Sequence, residues 1–511
     1  MILGKSLSES ATRYPDKAAI IFEGNRWTYR QINSRVNRLS GFLSSMGLKK
    51  NDKVAMLAKN GNEYLESYYA MAKLGIWMVP INYRLQQPEM ALRLTHSDAK
   101  AVILGSEYVE RFMGLSSEVK KAFADRLLVL GEVAPPGMHS YEGVLKNSTE
   151  AEPQISIEPE DPLYIGYTAG TTGLSKGAII SNRAIVAGFK NKILERHFTK
   201  DDITLNPGPF WHSAPRDGAS LHLYLGATTV IMREFYAEEF LSSVEKYRVT
   251  NGFLVPTMFR MLIDLPGNER YDTSSLRLLV SGGAPLPVQL KEACIKRFGP
   301  ILLEGYASTE TRVIASISPE EMGRKIRSVG RPSRGVRVRI LDERGKDLPS
   351  GKVGEIYVRG PSLFSGYYKD EKKTQESFRN GWFTLGDMGR LDEDGYLYIV
   401  DRKQDMVISG GENIYPSEVE EVLRAHSKVA EAAVIGVPDE KWGEVLKAFV
   451  VLKPGETTNE REILFFCATR LADYLKPKSI ELVPELPRSP VGKILKRVLR
   501  EPYWKGSEFK V

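Results

Sequence analysis

From its start to about residue 400 the sequence alternates short apolar runs with amphipathic stretches long enough to be helices. Lys53–Leu57 reads as a strand, Gly61–Leu74 as a helix and Trp77–Pro80 as the next strand. The pattern returns in strand Leu163–Tyr167, in strand Thr228–Met232 with helix Ala237–Arg248, and in strand Leu276–Ser281 with helix Pro287–Phe298. Strands separated by helices of this length pair in parallel through crossover connections, so the fold class expected is α/β. From about residue 335 the texture changes. VRVRILDERG, GEIYVRG and GYLYIV are alternating stretches with Gly- or Asp-rich turns, which suit a small antiparallel β unit. The charged run DRKQD interrupts near residue 402. Beyond it, helix Ser417–His426, two strand-like runs and a helix around Glu460–Tyr474 make about 105 residues, enough for a separate α+β domain. The boundaries expected are 1–402 for a large N-terminal domain and 403–511 for a smaller C-terminal one.

Composition removes several classes. Of 511 residues, 42% are hydrophobic and 26% charged, which excludes disordered, collagen-like and disulfide-scaffold chains. The 71 Lys+Arg exceed the 64 Asp+Glu by only seven, without a basic tail or stripe, so no nucleic-acid partner is expected. A mild positive balance still suits small anionic ligands. No run of about eighteen apolar residues occurs, so no transmembrane segment is expected, and the N-terminus lacks the apolar core of a signal peptide. Cys294 and Cys467 lie in helix-like stretches outside any metal-ligand spacing, and read as buried reduced thiols of a cytoplasmic protein.

The segment Tyr167–Gly177 follows a strand and packs three Gly, three Thr, one Ser and one Lys into eleven residues. Glycines let backbone N–H groups turn toward an anion, hydroxyls donate further bonds, and a Lys adds a point charge. It is not a Walker A loop, because Ser175 precedes Lys176 and Gly177 follows it. The order Tyr-Thr-Ala-Gly-Thr-Thr-Gly-Leu-Ser-Lys-Gly resembles the phosphate loop of the adenylate-forming superfamily of acyl-CoA synthetases, adenylation domains and luciferases. Ala169 and Ser175 stand where that pattern usually has Ser and Pro.

Further motifs of the same superfamily follow in order. Glu304-Gly305-Tyr306-Ala307-Ser308-Thr309-Glu310 resembles its Tyr-Gly-x-Thr-Glu segment, with Ala307 in place of the usual Gly. Ser281–Leu286 resembles the loop holding the adenine edge. Gly381–Asp387 resembles the segment whose Asp receives the ribose, with Ile399 and Arg402 twelve and fifteen residues later. Gln404 occupies the hinge position, normally Asp or Lys. Ser409–Pro416 resembles the glycine loop beside the pantetheine channel, and Pro487–Lys493 the segment of the catalytic lysine.

The resemblance implies an AMP-forming acyl-CoA synthetase with a mobile C-terminal lid. It assigns ATP to Thr168, Gly170, Thr171, Thr172, Gly173, Lys176, Gly283, Ala284, Pro285, Glu304, Gly305, Tyr306, Thr309, Asp387, Ile399, Arg402 and Lys493. Mg²⁺ falls to Glu310 and Thr168, and catalysis to Lys493, Glu310 and His212. The acyl pocket falls to Trp211, His212, Gly282 and Gly305, and CoA to Gly410, Gly411, Trp442, Lys476 and Lys478. Read without the resemblance, Trp442 is an edge aromatic and the two lysines are solvated. Arg216 reads as a surface partner of Asp217, the alternative being a reader of a second carboxylate. The acid expected is fatty or aromatic, the alternatives being a dicarboxylic acid or a carrier protein as acceptor. Oligomeric state, a homodimer included, stays open.

Overall fold

The computed structural model describes residues 2–168, 176–488 and 494–505, and the chain divides into two compact units. The first comprises residues 1–337 and 359–376, the second 338–358 and 377–511. The antiparallel β unit therefore groups with the C-terminal residues.

Among the described residues the first unit holds two large sheets. One has nine strands, in the order Arg331–Pro332, Arg312–Ile317, Leu302–Ser308, Leu278–Ser281, Asn251–Leu254, Ile203–Asn206, Thr228–Ile231, Ala18–Phe22 and Asn25–Thr28. Its middle six strands pair in parallel, while both ends are closed by antiparallel hairpins. The middle strands are short apolar runs because helices cover them; Leu278–Ser281 and Thr228–Ile231 are buried at every residue. Helices Ala237–Tyr247, Pro256–Ile263 and Val288–Phe298 supply Phe240, Phe259 and Leu290 to the core on one face.

The other sheet has seven strands, in the order His139–Ser140, Leu127–Val129, Ala99–Leu104, Lys53–Leu57, Trp77–Pro80, Pro162–Thr168 and Lys176–Ser181. It is parallel except for its last pair, in which Thr168 stands opposite Lys176 across the ends of segment 169–175. In parallel α/β sheets the loops after the strands' carboxyl ends are where ligands bind. Here those loops carry His212, Gly282–Pro285 and Thr309–Glu310.

Helix Ser213–Leu225 begins directly after His212, and it is buried on nearly every side. Tyr69 donates its hydroxyl to the Ser220 carbonyl at 3.0 Å, and Ser10 to the Leu223 carbonyl at 3.1 Å, from two different flanking helices. It ends at Gly226, whose φ of +77° places it in the left-handed region, with the Ala227 N–H donating back to the His222 carbonyl.

The second unit holds two five-stranded sheets. The first is antiparallel, as the alternating texture predicts, and pairs Trp382–Leu391 with both Gly354–Arg359 and Leu397–Arg402. In the other, strands Val429–Asp439 and Gly443–Leu452 form a long hairpin. Helices Pro416–Arg424 and Glu460–Ala468 bury Val419, Leu423, Ile463 and Cys467 in its core. The helix expected around Glu460–Tyr474 is shorter in the structure. It stops at Ala468, where the N–H groups of Thr469, Arg470 and Leu471 bond within the final turn, and a separate 3₁₀ turn covers Asp473–Leu475. Cys294 and Cys467 are buried and free, and burial pushes their thiols up to about 12 and about 11.

A Cβ at Gly226 would meet the Tyr14 ring as well as force an L-residue into the left-handed region. Gly226→Ala is expected to cost about 1–3 kcal/mol, read as a lower urea midpoint with an unchanged m-value.

Candidate active site

The first half of the site forms where strand Leu302–Ser308 of one sheet approaches strand Pro162–Thr168 of the other. Gly166 permits this, since a Cβ there would lie 2.8 Å from Thr309 Cγ2 and 3.2 Å from the Tyr164 ring. Beyond the strand, the Ser308 hydroxyl accepts from the N–H groups of Glu310 (3.1 Å) and Thr311 (3.2 Å). That tight turn displays Thr309, half-buried, next to Glu310, which is buried.

Glu310 is held from a distant segment. Its Oε1 accepts the Tyr367 hydroxyl at 3.1 Å, and its carbonyl accepts the Phe364 N–H at 2.7 Å. Tyr367 bridges to Ala178, and Tyr368 N–H donates to the Gly177 carbonyl, so this segment also lies on the strand that begins at Lys176. The Lys176 ammonium sits 5.4 Å from the Tyr367 ring centre. Burial, then repulsion from Lys373, lowers its affinity for the proton, and Glu310 opposes them. The Thr168 hydroxyl reaches the Lys176 carbonyl at 3.5 Å. Thr168, Lys176, Thr309 and Glu310 thus converge, whereas Gly170, Thr171, Thr172 and Gly173 lie outside the described residues.

Glu304 turns its carboxylate inward. Oε1 accepts the Leu286 N–H at 3.0 Å, and Oε2 pairs with Lys291 Nζ at 2.6 Å, both side chains being buried. This pins the loop Gly282–Pro285 beside the strand. A Cβ on Gly282 would lie 3.3 Å from the Gly305 carbonyl, and Gly283 has a φ of +87°. What Glu304 offers a ligand at this point is therefore backbone, while Tyr306 beyond it is half-buried.

At the start of helix Ser213–Leu225, His212 is the N-cap, its Nδ1 accepting the Ala214 N–H at 3.3 Å. In the neutral ring the proton then sits on Nε2. Trp211 packs edge-on against it, ring centres 5.9 Å apart.

Arg216 corrects the surface reading, for neither it nor Asp217 is at the surface. Arg216 is 0% and Asp217 1% exposed. The Arg216 guanidinium lies 4.0 Å from the Tyr164 ring centre and 5.0 Å from that of Tyr68. The carboxylate of Asp217 takes Arg312 Nη1 at 2.5 Å, with Arg216 Nη2 further off at 3.5 Å. The reason is tertiary: the aromatic helix Asn62–Leu74 and a cation from the Thr309–Glu310 turn enclose the pair.

In the second unit Asp387 and Arg402 face each other across two strands and form an ion pair at 2.7 Å. Ile399 is half-buried on the same strand as Arg402. Gln404 lies exposed in a 3₁₀ turn, its carbonyl accepting Arg500 Nη1 at 2.9 Å. Gly410 and Gly411, with φ of +59° and +89°, form the hairpin turn between Val407–Ser409 and Glu412–Ile414. Gly410 N–H donates to the Trp442 carbonyl at 2.9 Å, and a Cβ on it would lie 2.7 Å from the indole. Trp442 is 44% exposed. Lys476 pairs with Asp473 at 2.5 Å, and Lys478 N–H donates to the Leu446 carbonyl, four residues beyond Trp442. The structure brings Gly410, Gly411 and Trp442 together; Lys493 lies outside the described residues.

Residues 7–368 match the family of AMP-binding enzymes, and residues 418–493 match the C-terminal domain of the same enzymes. The chain belongs to this family. It is 36% identical over 505 residues to the indoleacetate–CoA ligase of Aromatoleum aromaticum, covering 98% of both chains. It is 35% identical over 508 residues to the long-chain-fatty-acid–CoA ligase FadD13 of Mycobacterium tuberculosis, again with 98% of each covered. Among solved structures it resembles ATP-bound MatB from Rhodopseudomonas palustris with a TM-score of 0.90 and 31% identity, over 98% of this chain and 99% of that one.

This AMP-binding enzyme is an AMP-forming carboxylic acid–CoA ligase, with ATP and CoA as substrates. No described helix is long and apolar enough to cross a membrane. Sequence reasoning missed Tyr367 and Arg312, which act by reaching residues 57 and 95 positions away. Periodicity carries no signal for such contacts. Tyr367→Phe in this ligase removes one bond to a carboxylate, and is expected to lower kcat/KM for ATP about tenfold without changing the melting temperature.

Proposed function

We propose that these residues divide two half-reactions between them. In the first, a carboxylate oxygen of the acid attacks the α-phosphorus of ATP, and the bond to pyrophosphate breaks to give acyl-AMP. In the second, the CoA thiol attacks the acyl carbon, its proton leaves to solvent, and AMP departs. A carboxylate is a poor electrophile approaching a polyanion, so catalysis rests on positioning and on charge neutralisation.

Thr309 is the contact for the α-phosphate, Lys176 and the 168–176 loop for the departing pyrophosphate, and Tyr306 with the backbone of Gly283–Pro285 for the adenine. Asp387 receives the ribose, with Arg402 and Ile399 beside it. His212, through Nε2–H, and Trp211 flank the acid carboxylate. Lys493 neutralises charge between that carboxylate and the α-phosphate. The observation that carries this reading is the convergence of Thr168, Lys176, Thr309 and Glu310 at Gly166.

Glu310 and Thr168 fit Mg²⁺. The carboxylate is buried, with Oε1 held by Tyr367 and Oε2 making no hydrogen bond among the described residues. Mg²⁺ binds through one or two carboxylates plus phosphate oxygens, and Glu310 would supply the carboxylate. When bound, the ion would neutralise charge on the phosphates.

We place the functional boundary at residue 402, with residues 403–511 turning about Gln404 between the half-reactions. Gly410 and Gly411 then line the pantetheine channel, Trp442 stacks on CoA, and Lys476 and Lys478 face its phosphates. The substrates for which the relatives are named, indoleacetate and long-chain fatty acids, bracket an aromatic or aliphatic acid. The buried free thiols fit a cytoplasmic enzyme.

Lys493→Ala is expected to lower acid-dependent ATP–pyrophosphate exchange by about 10²–10³, while thioester formation from supplied acyl-AMP stays within about threefold. Equal loss of both would remove Lys493 from its role. Trp442→Ala is expected to raise the KM for CoA about tenfold with exchange unchanged, the size of one stacking contact. An unaltered CoA dependence would take Trp442 out of the site.

A further inference from the structure

Behind the proposed acid site, four cations, three buried and Lys192 half-buried, outnumber the carboxylates among them. Lys192 and Arg196 stand one turn apart on helix Asn182–Arg196, and Arg216 and Arg312 approach Asp217 from the other side. Asp217 gives Oδ2 to Arg312 at 2.5 Å and leaves Oδ1 to Arg216 Nη2 at 3.5 Å, so both cations share its one charge. Glu195, the carboxylate next to Arg196 in the chain, is also committed. It accepts the Ser316 and Ser333 hydroxyls at 3.2 Å each and the Arg334 N–H at 2.8 Å.

Arg196 is consequently 8% exposed with no ion pair among the described residues. Its Nε, Nε and Nη2 of Arg216, and Nε of Arg312 are all buried without a hydrogen-bond partner there. Burial lowers the Arg196 guanidinium to about 10; burial, then Arg196, lowers the Lys192 ammonium to about 8. A buried cation left uncompensated is costly, and a protein retains one where a ligand supplies the counter-charge.

The position suits such a ligand. Arg196 Nη2 lies 3.7 Å from where a side chain on Gly305 would begin, on the strand that leads into Tyr306. Arg216 lies one helical turn beyond His212, the residue proposed to flank the reacting carboxylate. We infer that the acid substrate carries a second carboxylate at its distal end, received by Arg196 with Lys192 one turn away on the same helix. This rests on the carboxylic acid–CoA ligase reading and narrows it to dicarboxylic acids with an aromatic or aliphatic skeleton. Monocarboxylic acids are rejected because their apolar tails leave these donors unpaired.

The test uses the whole chain with ATP, Mg²⁺ and CoA, measuring CoA-dependent AMP release. The probes are hexanedioic, nonanedioic and 4-carboxyphenylacetic acids, each beside its distal monoamide, with straight-chain fatty acids and arylacetic acids as a separate panel. Wild type is expected to favour at least one diacid over its monoamide by about 10²-fold or more in kcat/KM. Arg196→Met is expected to abolish or invert that preference, with a melting temperature no lower than wild type, because it removes an unpaired buried charge. Arg196→Lys should restore part of it. Monoamides or monocarboxylic acids used as well as diacids, or a diacid preference that survives Arg196→Met, would overturn the inference and leave the ligase reading intact. CoA-dependent AMP release from no acid in either panel would defeat the ligase reading and the inference with it.

Discussion

The pair formed by Asp217 and Arg312 fastens the helix that begins at His212 to the turn that presents Thr309 and Glu310. Both side chains are buried, and Arg312 also donates to the Thr309 carbonyl. Arg312 holds a φ of +61°, a conformation costing a non-glycine residue about 1–3 kcal/mol when nothing compensates. Here the two bonds from its guanidinium over-determine that backbone. The helix proposed to flank the acid and the turn proposed to meet the phosphate are thus referenced to one another through the Arg312 side chain. A shift in either would expose a buried charge.

A second buried pair repeats the device. Glu304 and Lys291 lock the loop Gly282–Pro285 to the strand Leu302–Ser308, which fixes the backbone groups proposed to meet the adenine. Tyr367 does the same for Glu310 with a neutral hydroxyl, leaving the carboxylate its charge. Each of the three fixes a ligand-facing group by a partner far away in sequence. Fixing matters because displacements of about 1 Å at a reacting centre cost on the order of 10²-fold in rate.

Legibility of the fold followed the physics of burial. Central parallel strands such as Lys53–Leu57 and Trp77–Pro80 were readable because both faces are covered and the apolar run is continuous. The antiparallel strands near the sheet ends were not. Lys176–Ser181 begins in a glycine-rich segment, and Arg312–Ile317 opens on a charged residue, so neither has the apolar signature of its neighbour. The site motifs were legible where a residue's chemistry is local, as in the Thr309–Glu310 turn or the Gly410–Gly411 hairpin. Arg216 was misread because a charged residue beside an opposite charge looks like surface. Only the tertiary arrangement of Tyr68, Tyr164 and Arg312 shows it to be interior.

The cations proposed for the nucleotide and CoA and those behind the proposed acid site differ in a way that bears on what each can bind. Arg402 is paired with Asp387 and Lys476 with Asp473, and their side chains remain 43% and 32% exposed. Such a cation exchanges a carboxylate for a ligand oxygen at little cost, since water already shares the charge. The side chain of Arg216 is 0% exposed and Arg196 is nearly buried, and neither has a strong carboxylate partner among the described residues. Arg216 shares Asp217 with Arg312, and Arg196 has no carboxylate to exchange among the described residues. On the proposed assignment, nucleotide and CoA meet cations suited to repeated binding and release, whereas the acid meets cations suited to discrimination, where the penalty for a wrong occupant is large.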